Sequence, residues 1–202
     1  MKTHPSVATM KLVAGNPVLD FTNTVDCRLG EWRGDVLVDY PDLVAWALRV
    51  DVLGAGLTHA LLAEAAADGP AAQRGLERAT ALREALYRIF LSESEGREAM
   101  PEDMNLLNDW VLRAAGQRRL VAADGGVGWR WCDGVSLNAV TVRMAIAAAD
   151  LLLKRDRRPV RACPGPHCGW LFLDTTRGGR RLWCSSQGCG TRVRVARFRA
   201  SG

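Results

Sequence analysis

The sequence predicts a mainly α fold with a small β element, in which a helical N-terminal domain over residues 1–156 precedes a small cysteine-rich domain over residues 157–202. Three observations carry that prediction: apolar residues recurring at helical spacing over the first three quarters of the chain, four cysteines gathered in two close pairs near the C-terminus, and a division of charge between the two parts. Nearly half of the 202 residues are apolar, at 48%, enough to bury a core of ordinary size.

The elements follow in order. Gly15, Asn16 and Pro17 break the opening segment, and Val18 to Val25 begins a new element. Val36-Leu37-Val38 is a short β-prone run. Pro41 and Asp42 suit a helix's first turn, with Leu43, Trp46 and Ala47 on one face. A second helix is expected over His59 to Ala67, closed by Gly69-Pro70, and a third from about Ala71 to Ser94. The apolar face of the third holds Leu76, Ala79, Leu82, Leu86, Ile89 and Phe90. A fourth begins near Pro101, carries Met104, Leu107, Val111 and Leu112, and ends at Gly116. Leu120-Val121-Ala122 and Trp129-Arg130-Trp131 flank Asp124-Gly125-Gly126, the pattern of a β-hairpin. Ser136 is expected to cap a long helix carrying Leu137, Val140, Met144, Ala147, Ala148 and Leu151, which stops before Pro159.

The last part of the chain is too short to fold on an apolar core alone, so a metal is the expected source of its stability. The spacing is Cys163-x4-Cys168, fifteen residues, then Cys184-x4-Cys189. Two close pairs separated by a short loop are the ligand pattern of a tetrahedral zinc site, with each pair on a tight knuckle. His167 is an alternative to Cys168, but beside it one of the two would be redundant. Four cysteines leave no open coordination position, so the expected ion is one structural Zn2+. Trp170 to Leu173 reads as a strand that a turn at Gly178-Gly179 would pair with Arg181 to Trp183.

From Lys154 onward there are twelve basic and two acidic residues, against fifteen basic and twenty acidic before it. Arg177, Arg180, Arg181, Arg192, Arg194, Arg197 and Arg199 crowd around and behind the cysteines. Arginine suits phosphate and guanine edges through its bidentate fork, so DNA is the expected partner of this segment. A zinc-finger adaptor docking an acidic protein is the alternative. Trp170, Phe172 and Trp183 are expected to pack the finger.

The run from Cys163 to Arg192, Cys-x4-Cys-Gly-Trp-Leu-Phe-x-Asp-Thr ending in Trp-Cys-x4-Cys-Gly-Thr-Arg, resembles the CGNR zinc finger. Thr191 stands where that family's name-giving motif has Asn. Upstream, Leu19-Asp20-Phe21-Thr22-Asn23-Thr24 and Leu82-Arg83-Glu84-Ala85-Leu86 are similar to two segments of the ABATE domain that usually precedes this finger. The resemblance implies a stress-response transcription regulator, with a mainly helical sensing domain ahead of a DNA-binding finger.

Asp20, Asn23 and Thr24 are polar groups within an apolar run, and Arg83 lies on the apolar face of its helix. They are expected either to contact a small-molecule effector or to form an internal polar network, with Arg83 meeting Asp20 or a ligand anion. The helical domain is also the expected site of any homodimer contact. No catalytic constellation is recognisable: the three histidines, His4, His59 and His167, belong to no hydrolase or metalloprotease motif. Cys27 and Cys132 lie apart from the cluster. No stretch is apolar enough to span a membrane, and no signal-peptide pattern opens the chain, so a cytoplasmic protein with reduced thiols is expected.

Overall fold

The computed structural model describes residues 6–30, 34–123, 125–132, 134–154 and 156–200. His4 and Asp124, named above, lie outside the described residues. The described chain is mostly helical, with two small antiparallel strand pairs, and divides into two compact units. Neither unit is continuous in sequence. One gathers 1–38, 86–100 and 155–202; the other gathers 39–85 and 101–154. Residues on both sides of position 156 therefore share the first unit.

The first unit opens with the short helix α1 (Pro17–Thr22), whose N-cap Asn16 accepts the Val18 N–H. Val18, Leu19 and Phe21 fill the interior of this unit. The β-prone run after it forms no named strand; one isolated bridge joins Val25 to Asp35.

In the second unit, α2 (Tyr40–Arg49) starts on the Asp39 cap and buries Leu43, Val44, Trp46 and Ala47. Next comes α3 (Ala55–Ala67), which begins four residues earlier than the sequence suggests. The long helix α4 (Gly69–Ser94) follows and continues into the first unit. Gly69-Pro70 belongs to this helix as its first turn, because Asp68 accepts the Ala71 N–H and proline needs no N–H partner there. All six of the predicted core residues on α4 are buried. Gly75 is required by packing: a Cβ there would come within 2.8 Å of the Leu137 carbonyl and 3.0 Å of the Tyr40 ring.

The inward face of α5 (Pro101–Ala115) is Asp103, Leu107, Trp110 and Ala114, one helical face at spacings of three and four. The expected face included Leu112, which is 73% exposed; Trp110 takes the interior place on the turn before it. The predicted hairpin forms from β1 (Arg118–Ala123) and β2 (Gly126–Trp131), antiparallel with Arg119 opposite Arg130 and Leu120 opposite Trp129. The apolar helix α6 (Ala139–Leu153) closes the unit against α5 and α2. It starts three residues after Ser136, whose hydroxyl accepts the Asn138 N–H in the turn before the helix.

The chain then returns to the first unit as β3 (Val160–Ala162) and β4 (Leu171–Leu173), which pair antiparallel. The sequence suggested that β4 pairs with 181–183. That segment instead lies against the carboxylate of Asp174 and cannot form a ladder, as described below. A π-helical turn over Ser186–Gly190 leads directly into α7 (Thr191–Ala200), so the arginine-rich tail is a helix. Among the described residues, no helix is long and apolar enough to cross a membrane.

Candidate metal centre

Each pair of cysteines sits on a knuckle that its neighbours close by backbone hydrogen bonds. In the first, the Cys163 N–H donates to the Trp170 carbonyl at 2.8 Å and the Cys168 N–H to the Gly165 carbonyl at 2.9 Å. His167, inside this knuckle, takes a left-handed backbone at φ 65. In the second, the Ser185 hydroxyl accepts the Gly188 N–H at 3.1 Å and its carbonyl accepts the Gly190 N–H at 3.0 Å. The two knuckles meet at Gly165, where a Cβ would lie 3.0 Å from both the Cβ and the Sγ of Cys189. A larger residue at this point would push a ligand away.

The four sulfurs of Cys163, Cys168, Cys184 and Cys189 lie within 4.8 Å of one another, all buried. At the usual Zn–S length of about 2.3 Å, a regular tetrahedron has S–S edges of about 3.8 Å. The Cys168–Cys184 and Cys184–Cys189 separations are both 3.6 Å, so the donor set fits that ion in size and chemistry. The position of Cys168 in this cluster leaves His167 no ligand role to fill. Hydrogen bonds from Cys168 and Cys184 favour the thiolate of Cys163, while the Cys163 interaction disfavours ionisation of Cys168 and Cys184. A divalent cation supplies the charge that lets all four ionise, and its binding releases protons.

Around the cluster the arginines have unequal duties. Arg181 is committed to the fold. Its Nε donates to the Trp183 carbonyl at 3.0 Å and Nη1 to the Leu173 carbonyl at 3.2 Å, and Nη2 reaches the carbonyls of Val13 and Cys184. Its guanidinium also stacks 4.4 Å from the centroid of the Phe172 ring. With its donors so occupied, Arg181 braces the finger, a role that differs from its expected phosphate contact. Arg192, at the start of α7, donates to the Cys189 sulfur at 3.0 Å and so offsets part of the thiolate charge. Arg194 bonds Thr191, whose hydroxyl in turn donates to the Ser186 carbonyl. Thr191 thereby ties the second knuckle to α7 with one hydroxyl. Arg177, Arg180, Arg197 and Arg199 are exposed.

Asp174 is a site residue for which sequence reasoning gave no role, although its Asp-Thr motif was visible. Its buried carboxylate accepts the Thr176 hydroxyl at 2.6 Å, the Thr176 N–H at 3.1 Å and the Arg181 N–H at 2.9 Å. The Thr176 hydroxyl leads in holding the Asp174 carboxyl below the usual carboxylate range, with the two backbone N–H groups and nearby Arg161 adding to it. This capture of residues 174–181 explains why 181–183 is not a strand.

The residues expected to contact an effector have definite structural work. The Asn23 side chain pairs with β4 as a short strand would: Nδ2 donates to the Leu171 carbonyl at 2.8 Å and Oδ1 accepts the Leu171 N–H at 3.0 Å. Asp20 accepts the Ala14 N–H at 3.0 Å, and the Ala14 carbonyl accepts the Leu173 N–H at 2.8 Å. The Thr24 hydroxyl donates to the Phe21 carbonyl. Arg83, buried in the second unit, donates to Glu84 at 2.8 Å. Asp20, Asn23 and Thr24 thus make hydrogen bonds within the first unit, and Arg83 pairs with its neighbour in sequence. Further along, the Arg28 N–H donates to the Cys168 carbonyl, the Trp170 indole to the Val25 carbonyl, and the Tyr87 hydroxyl to the Gly169 carbonyl. Trp170 and Phe172 thus pack the finger, as expected. Cys27 lies at the same knuckle, with its thiol donating to the His167 carbonyl.

Two family models match the chain in succession. Residues 15–155 match ABATE, described as "Putative stress-induced transcription regulator", and residues 159–201 match the CGNR zinc finger. The chain belongs to the ABATE family. Its CGNR finger binds one structural Zn2+ through the four cysteines. No curated protein matches the chain. In this ABATE protein the signature residue Asn23 and the finger strand β4 are direct partners, which gives the pairing of the two modules in one chain a structural basis.

Proposed function

We propose that this protein is a DNA-binding transcription regulator whose finger, through α7, makes the principal contact with the duplex. The observation that carries the reading is the character of α7: ten residues, none buried, four of them arginine, starting at the residue after the second zinc knuckle. A helix of this length is about 15 Å long, and successive residues turn by about 100°. That rotation puts Arg192 and Arg199 on one flank and Arg194 and Arg197 on the opposite flank. The helix thus carries two separate basic flanks. Two basic flanks suit a helix lying in a major groove, where a phosphate backbone runs along each side. Val195 and Phe198 occupy the side between the flanks, and Phe198 is 81% exposed. An exposed phenyl ring there suits contact with a thymine methyl. Arg177 and Arg180 add exposed charge on the loop held by Asp174.

Zinc serves this function by holding the base of α7 in register. Stress response and a cytoplasmic location are part of the proposal and rest on the family alone. The test is a gel-shift series with zinc-loaded protein and genomic fragments over a range of salt. Binding should weaken steeply with salt, and Arg194→Gln with Arg197→Gln should make the log–log slope shallower by about 1.8, at roughly 0.9 per phosphate contact. Absence of salt-sensitive binding overturns the reading. The exposed Phe198 also favours a second reading, a finger that docks an acidic protein partner; a complex that survives nuclease treatment would select it.

A further inference from the structure

The β1–β2 hairpin of the second unit stands out from the helices. Leu120, Val127 and Trp129 are 60%, 71% and 59% exposed, so its sides are largely solvated. A lone two-stranded hairpin is marginally stable in water, and this one is held mainly at its base. There the Arg143 guanidinium lies 4.5 Å from the Trp131 ring, and the Cys132 N–H donates to the Gln117 carbonyl at 2.7 Å.

Its two faces differ in chemistry. Residues directly opposite in an antiparallel pair share a face. One face is therefore Arg118 with Trp131, Leu120 with Trp129 and Ala122 with Val127. Arg118 lies 4.3 Å above the Trp129 ring, so even this apolar face carries a cation. The other face places Arg119 directly opposite Arg130, both exposed. Like charges directly opposite each other destabilise a sheet. Among the described residues, neither of these two guanidinium groups has a hydrogen-bond or ion-pair partner. The described strands carry three arginines and no acidic residue. A bound polyanion relieves that repulsion; an apolar protein partner leaves it in place. The dimensions agree: six residues per strand span roughly 20 Å, the reach of several successive phosphates at about 3.4 Å of axis per charge on each DNA strand.

We infer that the β1–β2 hairpin is a second nucleic-acid contact, whose Arg119 and Arg130 face meets the phosphates of a DNA duplex. The inference rests on the reading of the finger as a DNA-binding element, and adds a surface from the other compact unit.

The test uses full-length, zinc-loaded protein and a fluorescent mixed-sequence duplex of about 30 base pairs, titrated from low to moderate salt. The paired variant Arg119→Gln with Arg130→Gln should bind more weakly, with a log–log salt slope shallower by about 1.8. Trp129→Ala, on the opposite face, should keep the parent's affinity and slope. Circular dichroism and zinc content equal to the parent establish that the variants are folded. Parent-like affinity and slope for the Arg119/Arg130 variant, together with a weakened Arg194/Arg197 variant, overturn the hairpin inference and leave the finger reading standing. Loss of self-association by the hairpin variants with DNA binding intact also overturns it, by assigning the surface to a second copy. No salt-sensitive binding by the parent protein overturns both.

Discussion

At the residue scale, Asn23 is the most demanding position in the first unit. Its amide supplies the one donor and one acceptor that the backbone of Leu171 needs, 148 positions away. No other side chain of that length offers both without a charge. Asn23→Ala leaves a buried N–H and a buried carbonyl without partners, and should cost about 3 kcal/mol in a urea titration. Asn23→Asp keeps the acceptor and should fail nearly as badly, because it loses the donor and buries a charge. Gly165 has an equally narrow tolerance for a different reason. Gly165→Ala should lower zinc affinity in a chelator competition while leaving α1 to α6 folded, because the added methyl meets Cys189 itself. Asp174 brings a pH dependence whose sign is fixed. Its carboxyl is held below its ordinary value in the folded protein, so the stability it contributes is complete above about pH 4 and is lost as pH falls through the folded value. Acid titration of the parent and of Asp174→Asn should therefore converge at low pH and separate above it. Asn23 and Arg83 were recognisable from sequence as polar residues in apolar surroundings. Their roles were not, because a buried polar group announces that it needs a partner without saying which one.

At the element scale, patterns with a local cause were legible and those with a distant cause were not. The core face of α4 follows from spacing alone, as every one of its predicted apolar positions is buried. The β1–β2 hairpin follows from two β-prone runs around a glycine turn. The zinc ligands follow from pair spacing, since a knuckle is a local structure. The partner of β4 does not. Both 160–162 and 181–183 have strand-like residues, and the choice is made by Asp174, which takes the backbone of Thr176 and Arg181 for its own carboxylate. The face of α5 turned on a choice between Trp110 and Leu112, two apolar residues on different sides, which spacing alone leaves open. Zinc removal belongs to this scale. Strands β3 and β4 have three residues each and depend on the knuckles at their ends. A chelator should therefore release α7 and expose Trp183, giving a red-shifted tryptophan emission, while the helical signal of α4 to α6 persists. Acidification should release the ion in the same way, because protons compete for the four thiolates.

At the scale of the whole molecule, the two family matches meet near residue 157, whereas the compact units interleave. Sequence similarity and spatial packing divide the chain along different lines. The finger's strand β4 receives its edge partners from Ala14 and Asn23, and its first knuckle is held by Arg28 and Tyr87. An isolated fragment of residues 157–202 would lack all four. It should bind zinc more weakly than the full chain and show a poorly dispersed amide spectrum even when loaded. Co-expression with residues 1–156 should restore dispersion if the clasp reforms in trans.

The clasp between Asn23 and Leu171 also sets an order of events during synthesis. A ribosome adding 5 to 20 residues per second needs roughly 7 to 30 s to make the intervening chain. Throughout that interval the apolar side chains of Val18, Leu19 and Phe21 wait without the strand they will pack beside. The clasp can therefore close only after the finger's strand has been synthesised, so the first unit completes its core late.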